Sequence, residues 1–324
     1  MVEEQRPVSN PRIAILGCGR MGKQHAQACA RLEVDVRLVC DPDVERAREL
    51  AGKFGAQVVE KGDQIDWSDV DAAFCCTPPF ARGPAECAAA EAGVALFMEK
   101  PIGLSLATGE EIFRAAQQGG GITAVGYMNR YRNSVRRAKQ LAAETEVLGA
   151  ICHWVGAIYR VPWWGKRELS GGQINEQCTH AFDLLRHFCG EIVEVSAMSQ
   201  PPPPGAAEDI DAATSVILRA ENGTLAMLYA SCAAEAKQIG LYVFTKTKQI
   251  SLDGWNLELR DGDCKDQPDV FGDEAEAFLH AAKTGDRSAI LSDLGDALRT
   301  QAVVDTAVRA LASRRSERVD YSPP

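Results

Sequence analysis

Two places in the sequence combine residue types suited to moving a proton and steadying a negative charge. In the segment 170–190, SGGQINEQCTHAFDLLRHFCG, two glycines precede a helix-patterned stretch in which His180, Asp183, Leu184 and His187 share one face. An imidazole near the start of a helix, with the Asp183 carboxylate one turn later to orient it, can exchange a hydroxyl proton near neutral pH. Phe182, Leu185 and Cys189 make the opposite, core-seeking stripe. Three groups strung along one helix are poor metal-coordination geometry, so no metal is expected, and His187 reads as surface. The second place is Glu99-Lys100-Pro101, directly after an apolar strand over 94–98. The proline restricts the lysine backbone and helps fix its direction, although the pair alone also reads as a solvated loop.

A scaffold for these groups starts at 12–22, RIAILGCGRMG, where an apolar run is followed by Gly17, Gly19 and Gly22 and then by a helix-like segment. The first glycine permits a tight turn, the second admits a pyrophosphate close to the backbone, and the third lets helix and strand pack. The helix N-terminus then offers free N–H groups and the positive end of its dipole. A second apolar strand, 36–40, ends at Asp41, 19 positions beyond Gly22, close to the spacing of a carboxylate that binds an adenosine ribose. Asp41 also opens an Asp-Pro turn. Its charge would repel a 2′-phosphate, which favours NAD; Arg46 nearby keeps NADP open.

At 324 residues the chain is long enough for two domains, and 46% hydrophobic with 25% charged residues is the composition of a soluble globular protein. A formal net charge of −10 opposes general binding of nucleic acid or anionic membranes. No apolar stretch reaches membrane-spanning length, and the opening MVEEQRPVSN has no apolar core, so a cytoplasmic location is expected. Eleven cysteines without a C-x-x-C pair suit neither disulfides nor structural zinc. Most read as buried thiols, whereas Cys18, inside the glycine turn, is expected to be reachable by oxidants. His25 and His280 fall in helical segments and read as structural.

Over the first 120 or so residues, apolar strands at 13–16, 36–40, 72–77, 94–98 and 122–127 alternate with helical segments, the pattern of a parallel sheet with crossover helices. Beyond 127 the order changes to a helix over 134–144 and strands over 150–158, 212–220, 225–230, 239–245 and 248–252, with a hairpin signal at Asn222-Gly223. This predicts a mostly antiparallel sheet with helices on one face. Helices are expected over 271–283 and 292–311, the latter with a stripe of Leu294, Ala297, Val304, Val308 and Leu311. Aromatic faces beside polar groups, at Tyr127, Asn129 and Arg130 and at Tyr159, Trp163 and Trp164, would suit a sugar ring. Lys166 and Arg167 suggest a carboxylate or phosphate on the substrate.

The ordered set GCGRMG, Asp41, CTPP at 76–79, EKP at 99–101, and Gly171-Gly172 followed by His180 and Asp183 resembles the Gfo/Idh/MocA oxidoreductases, relatives of glucose–fructose oxidoreductase and inositol dehydrogenase. The resemblance implies an α/β chain: a doubly wound Rossmann domain over 1–125, and an α/β domain over 126–324 whose mostly antiparallel open sheet pairs subunits into a homodimer or homotetramer. It implies NAD(P)-dependent oxidation or reduction of a secondary hydroxyl or ketone in a sugar, polyol or glycoside. By position it sets Gly17, Gly19, Arg20, Met21, Gly22, Asp41, Thr77, Pro78, Glu99 and Lys100 at the cofactor. Lys100 matches the EKP lysine and His180 the acid/base histidine. Glu176 stands where the family often has Asp, and joins Asp183 in the expected catalytic set. Two alternatives stay open: cleavage of a glycosidic bond with transient use of NAD, and a non-catalytic dinucleotide sensor.

Overall fold

The computed structural model describes residues 10–260, 264 and 269–321; the ends of the chain that the two predicted domain ranges include, 1–9 and 322–324, lie outside the described residues. In chain order the first elements are β1 (Arg12–Leu16), α1 (Arg20–Arg31), β2 (Asp35–Cys40), α2 (Val44–Phe54), β3 (Gln57–Val59), β4 (Ala72–Cys75), α3 (Pro84–Glu91), β5 (Ala95–Met98), α4 (Leu106–Gly119) and β6 (Thr123–Val125). Next come α5 (Asn133–Ala143), β7 (Val147–Ala157), α6 (Arg167–Ser170), α7 (Gln173–Glu176), α8 (Thr179–Cys189), β8 (Ile192–Gln200), β9 (Ala213–Ala220), β10 (Leu225–Ser231), β11 (Ala233–Thr245), β12 (Gln249–Asp253) and β13 (Glu258–Leu259). The last are α9 (Val270–Thr284), α10 (Leu294–Ser313) and β14 (Glu317–Arg318).

The described residues divide into two compact units, 10–128 with 269–298, and 129–260 and 264 with 299–321. Where the sequence suggests one cut between 125 and 126, the segment 269–298 returns to the first unit. A helix's pattern shows that it has a face to bury, but not which distant strand will cover it.

In the first unit six parallel strands run in the order β3-β2-β1-β4-β5-β6. This is the doubly wound order, and the reversal between β1 and β4 opens a crevice at the carboxyl ends of those strands. Both faces of the sheet are covered, so β1 is apolar at every position after its first. Ile13 and Ile15 pack with Phe74, Phe97 and the α9 residue Phe278, while Ala14 and Leu16 pack on the other face with Ala89, Ala90 and Ile112. Phe74, Phe97 and Phe278 are fully buried, and each contributes roughly 1.5–3 kcal/mol.

The second unit contains an eight-stranded sheet, β13-β12-β11-β7-β10-β9-β8-β14, antiparallel except for the parallel β7–β10 pair. Asn222-Gly223 makes the β9–β10 turn: Gly223 has φ +87° and Asn222 Oδ1 accepts the Thr224 N–H at 3.0 Å. One face of the sheet packs on Phe182, Leu185, Val303, Val304 and Ala307, and the alternate positions point outward. Ile151, Met198, Ile217, Leu225, Met227 and Tyr229 are exposed there.

Several features differ from the sequence expectation. β8 was not anticipated, because Glu194 and two serines break its apolar alternation. β11 begins at Ala233, six residues before the expected 239, with a register irregularity between Ala233 and Gln238. On α10 Val308 is 42% exposed, and Val303, Ala307 and Ala310 are buried instead. α8 is buried almost all round, so a polar face and an apolar stripe do not separate there.

Candidate active site

The glycine turn lies at the crevice of the first sheet. Gly17 has φ +88°, and a Cβ there would stand 2.8 Å from the Cys76 carbonyl, so only glycine lets the turn rest against the exit of β4. A Cβ on Gly22 would stand 2.0 Å from the Gly17 carbonyl oxygen, which is how closely α1 packs on the turn. Gly19 is different, because among the described residues nothing lies within 4 Å of its Cβ direction. It is the N-cap of α1, and no side chain caps the helix. An open approach to free helix N–H groups is what a pyrophosphate needs. Arg20 is exposed and Met21 half-buried on the first turn.

Asp41, at the end of β2, is 5% exposed, and its Oδ2 accepts the Cys18 N–H at 2.7 Å while Oδ1 accepts the Asp43 N–H at 2.9 Å. The carboxylate therefore ties the glycine turn to the neighbouring strand and keeps lone pairs for ribose hydroxyls. Arg46 Nη1 stands 3.7 Å from Asp41 Oδ2, but Arg46 pairs more closely with Asp43, at 3.0 Å. The expectation of an accessible Cys18 is overturned. Its thiol is fully buried, and burial together with the nearby Asp41 charge pushes its pKa up to about 12. Donor set, open glycine face and buried carboxylate all fit an NAD molecule, which these residues would hold.

Thr77 and Pro78 follow β4. Thr77 donates its hydroxyl to the buried Glu86 at 3.2 Å, and its carbonyl accepts Arg82 Nη2 at 3.0 Å. Arg82 is 6% exposed and was not anticipated, since an arginine in a loop ordinarily reads as solvated. At the exit of β5 Glu99 is buried, with its N–H on the Cys75 carbonyl at 2.9 Å and its Oε1 hydrogen-bonded to His25 Nε2 at 2.9 Å. Burial raises the Glu99 pKa, but the His25 hydrogen bond and the charges of Lys100 and Arg82 outweigh it, leaving the carboxyl below its usual value. Glu99 is therefore an internal anchor, and the solvated-pair reading fails for it. Lys100 is half-buried and joined to Pro101 by a cis peptide.

In the second unit His180 is 6% exposed near the start of α8, and its ring stacks on Trp154 with centroids 5.4 Å apart and planes at 12°. Both Asp183 oxygens accept from Arg130, at 3.0 and 2.5 Å. Oδ1 also lies 3.5 Å from Thr300 Oγ1. Arg130, expected to meet substrate, is 7% exposed. Glu176, one turn before His180, is 8% exposed and accepts the Trp164 indole N–H at 2.6 Å. Burying an indole N–H requires such a partner, so the Trp164–Glu176 contact fixes the carboxylate.

The expected sugar-binding residues differ in burial. Tyr127, in the first unit, is 1% exposed in the core with Leu294 and Ala297. Trp164 is equally buried, packed with Ile210 and Cys232. Asn129 is buried and accepts Arg132 Nε at 3.0 Å. Tyr159 and Trp163 are half-buried, and Tyr159 lines a cleft of about 930 Å³ with Lys166, Glu208, Cys232 and Glu235. Arg167 pairs with Asp211 at 3.0 Å, and its side chain is 43% exposed. Of the other histidines, His25 is buried and His280 is 51% exposed, 3.7 Å from Asp286.

Residues 11–127 match the family model described as "Oxidoreductase family, NAD-binding Rossmann fold", and residues 136–251 match the "GFO/IDH/MocA C-terminal domain". The chain is 29% identical over 223 residues to the "Uncharacterized oxidoreductase YrbE" of Bacillus subtilis, covering 66% of this chain and 65% of that protein. It is 27% identical over 331 residues to the "Inositol 2-dehydrogenase" of Rhizobium meliloti, covering 94% and 98%. Among solved structures it resembles GenD2 from gentamicin A biosynthesis in complex with NAD, with a TM-score of 0.85 at 22% identity over 98% of this chain and 99% of that one. A levoglucosan dehydrogenase complex with NADH gives a TM-score of 0.85 at 19% identity over 96% and 100%. These two likenesses are of fold. Glycine turn, Asp41 carboxylate and both family models agree, and the chain belongs to the Gfo/Idh/MocA family of NAD-binding oxidoreductases.

Proposed function

We propose that the protein is an NAD-dependent dehydrogenase acting on a secondary hydroxyl of a sugar, polyol or glycoside, or on the corresponding ketone in reverse. The observation that carries this reading is the cradle in the first unit, where an open Gly19 face and an uncapped α1 stand beside the buried Asp41 carboxylate. Relatives named as inositol dehydrogenases support the substrate class.

NAD, when bound, supplies the acceptor for the hydride that leaves the substrate carbon. Lys100 donates a hydrogen bond to the reacting oxygen and steadies its developing charge. His180 takes the hydroxyl proton, with Trp154 fixing the plane of its ring. Glu176, held by Trp164, offers a carboxylate oxygen to substrate hydroxyls. Asp183 and Arg130 shape the site from behind as a buried ion pair. In this reading the first unit serves the dinucleotide and the second the substrate. The exposed apolar strip of the second sheet, Ile217 and Met227 with their neighbours, is the surface through which copies pair as a homodimer or homotetramer. Eleven free thiols suit a reducing cytoplasm.

The test is a panel of sugars and polyols offered with NAD and with NADP, following reduced nicotinamide. Turnover of at least one cyclic polyol or sugar with NAD is expected. Sugar release without net reduction would assign glycosidic cleavage instead, and silence with every compound would remove the dehydrogenase reading.

A further inference from the structure

Behind the Lys100 loop the first unit encloses a three-residue cluster that the reaction above does not use. His25 from α1, Glu99 from the exit of β5 and Glu274 from α9 are 0%, 6% and 1% exposed, and one side-chain N or O atom from each lies within 4.8 Å of the other two. The imidazole cannot swing: it stacks on Phe74 at 4.7 Å and meets Phe97 at 4.8 Å, and Phe278 of α9 closes on both phenylalanines. Gly126 leaves room for the carboxylate, since a Cβ there would stand 3.2 Å from Glu99 Oε2. The α1 and α9 helices are also joined by Arg31 and Asp269, 2.5 Å apart.

An ion is not what these groups are arranged to hold. His25 Nε2 and Glu99 Oε1 are 2.9 Å apart, a hydrogen bond, whereas two ligands of a zinc ion would stand about 3.3–3.6 Å apart. Among the described residues neither Glu274 oxygen has a hydrogen-bond partner. A second bare carboxylate beside Glu99, without a donor, would be prohibitively costly, so Glu274 carries a proton. Burial, then the charge of Glu99, pushes its carboxyl well above the usual range.

We propose that His25 is a positioning residue for Lys100: its hydrogen bond to Glu99, walled in by the phenylalanines and the neutral Glu274, is a buried brace that fixes the backbone from which the lysine projects. The proposal rests on the reading of Lys100 as the group that meets substrate oxygen. Glu99 and Lys100 are adjacent at the exit of β5, so gripping Glu99 from within holds the backbone of Lys100 without touching the substrate. The brace also joins that backbone to α1, the helix behind the glycine turn.

The experiment combines hydrogen exchange with a double-mutant cycle on the full-length protein. His25→Leu should speed amide exchange in a peptide covering 99–105 and lower turnover on the order of 10²-fold. In a Lys100→Met background the same change should cost no further turnover. Glu274→Gln, whose amide copies a neutral carboxyl, should keep the slow exchange, and it serves if His25→Leu does not fold. Unchanged exchange in His25→Leu, fast exchange in Glu274→Gln, or turnover losses that multiply would overturn the brace. So would a stoichiometric divalent metal in the purified protein that Glu274→Gln releases. If Lys100→Met alone keeps full turnover, the reading of Lys100 fails, and the brace is then decided by exchange alone.

Discussion

Arg130 grips Asp183 through two hydrogen bonds, Nε to Oδ2 at 3.0 Å and Nη2 to Oδ1 at 2.5 Å, with both side chains buried. Removing one partner strands a buried charge, so Arg130→Ala or Asp183→Ala should each cost about 3–5 kcal/mol in urea unfolding. Replacing both, as Arg130→Met with Asp183→Leu, should cost clearly less than the sum. Additive losses would show that the two groups do not act as a pair.

Asp41 serves two partners, the Cys18 N–H and, in the proposed complex, a ribose hydroxyl. Hydrogen bonds to charged groups are worth about 1.5–3 kcal/mol, so Asp41→Ala should weaken NAD binding roughly 10- to 150-fold in calorimetry. NADP should lose less, because the repulsion of its 2′-phosphate disappears with the carboxylate. An unchanged ratio of the two affinities would exclude Asp41 from cofactor choice.

Lys100→Met should lower turnover about 10²- to 10³-fold, and His180→Ala about 10²- to 10⁴-fold, each with little change in NAD affinity. Steady-state kinetics and calorimetry on the same preparations separate chemistry from binding. A variant that loses NAD affinity and nothing else would move its residue out of the proton and charge chemistry and into the cofactor site.

The Glu274 carboxyl is pushed well above 4.5 by burial and by Glu99. The folded state therefore keeps a proton that the unfolded state releases near 4.5, and this contribution to stability is fully present below that pH. It declines as pH rises towards the folded value, by about 1.4 kcal/mol per unit. Thermal unfolding between pH 5 and 8 should show a shallower decline in Glu274→Gln than in the parent. Parallel curves would mean that Glu274 is ionised in both states.

Ile217 and Met227 are directly paired across β9 and β10, and both are exposed on the outer face of the second sheet. If copies pair through this face as proposed, Ile217→Lys with Met227→Lys should yield monomers in sedimentation velocity where the parent protein is oligomeric, while leaving circular dichroism unchanged. An assembly that survives both lysines must use another face.

Much of the frame was legible in the sequence. Apolar runs that break at Gly17, Asp41 and the 78–79 proline pair predict parallel strands with their ends at one edge, and the sheet has that order. What escaped were pairings across long separations. The spacing that sets Asp183 one turn after His180 gives no sign that Arg130, 53 positions earlier, holds it through two hydrogen bonds. The spacing of Tyr127 and Trp164 likewise says nothing of burial, and both became core.

By itself the sequence determined the local elements, the glycine turn and the carboxylate that follows it, because turns, caps and periodic burial depend on residues a few positions apart. Only the tertiary structure decided that His25, Glu99 and Glu274 meet, that Cys18 is sealed and that Val308 faces outward. Those outcomes depend on which distant segment covers each side chain, and a chain's periodicity shows that a face must be covered without saying by what.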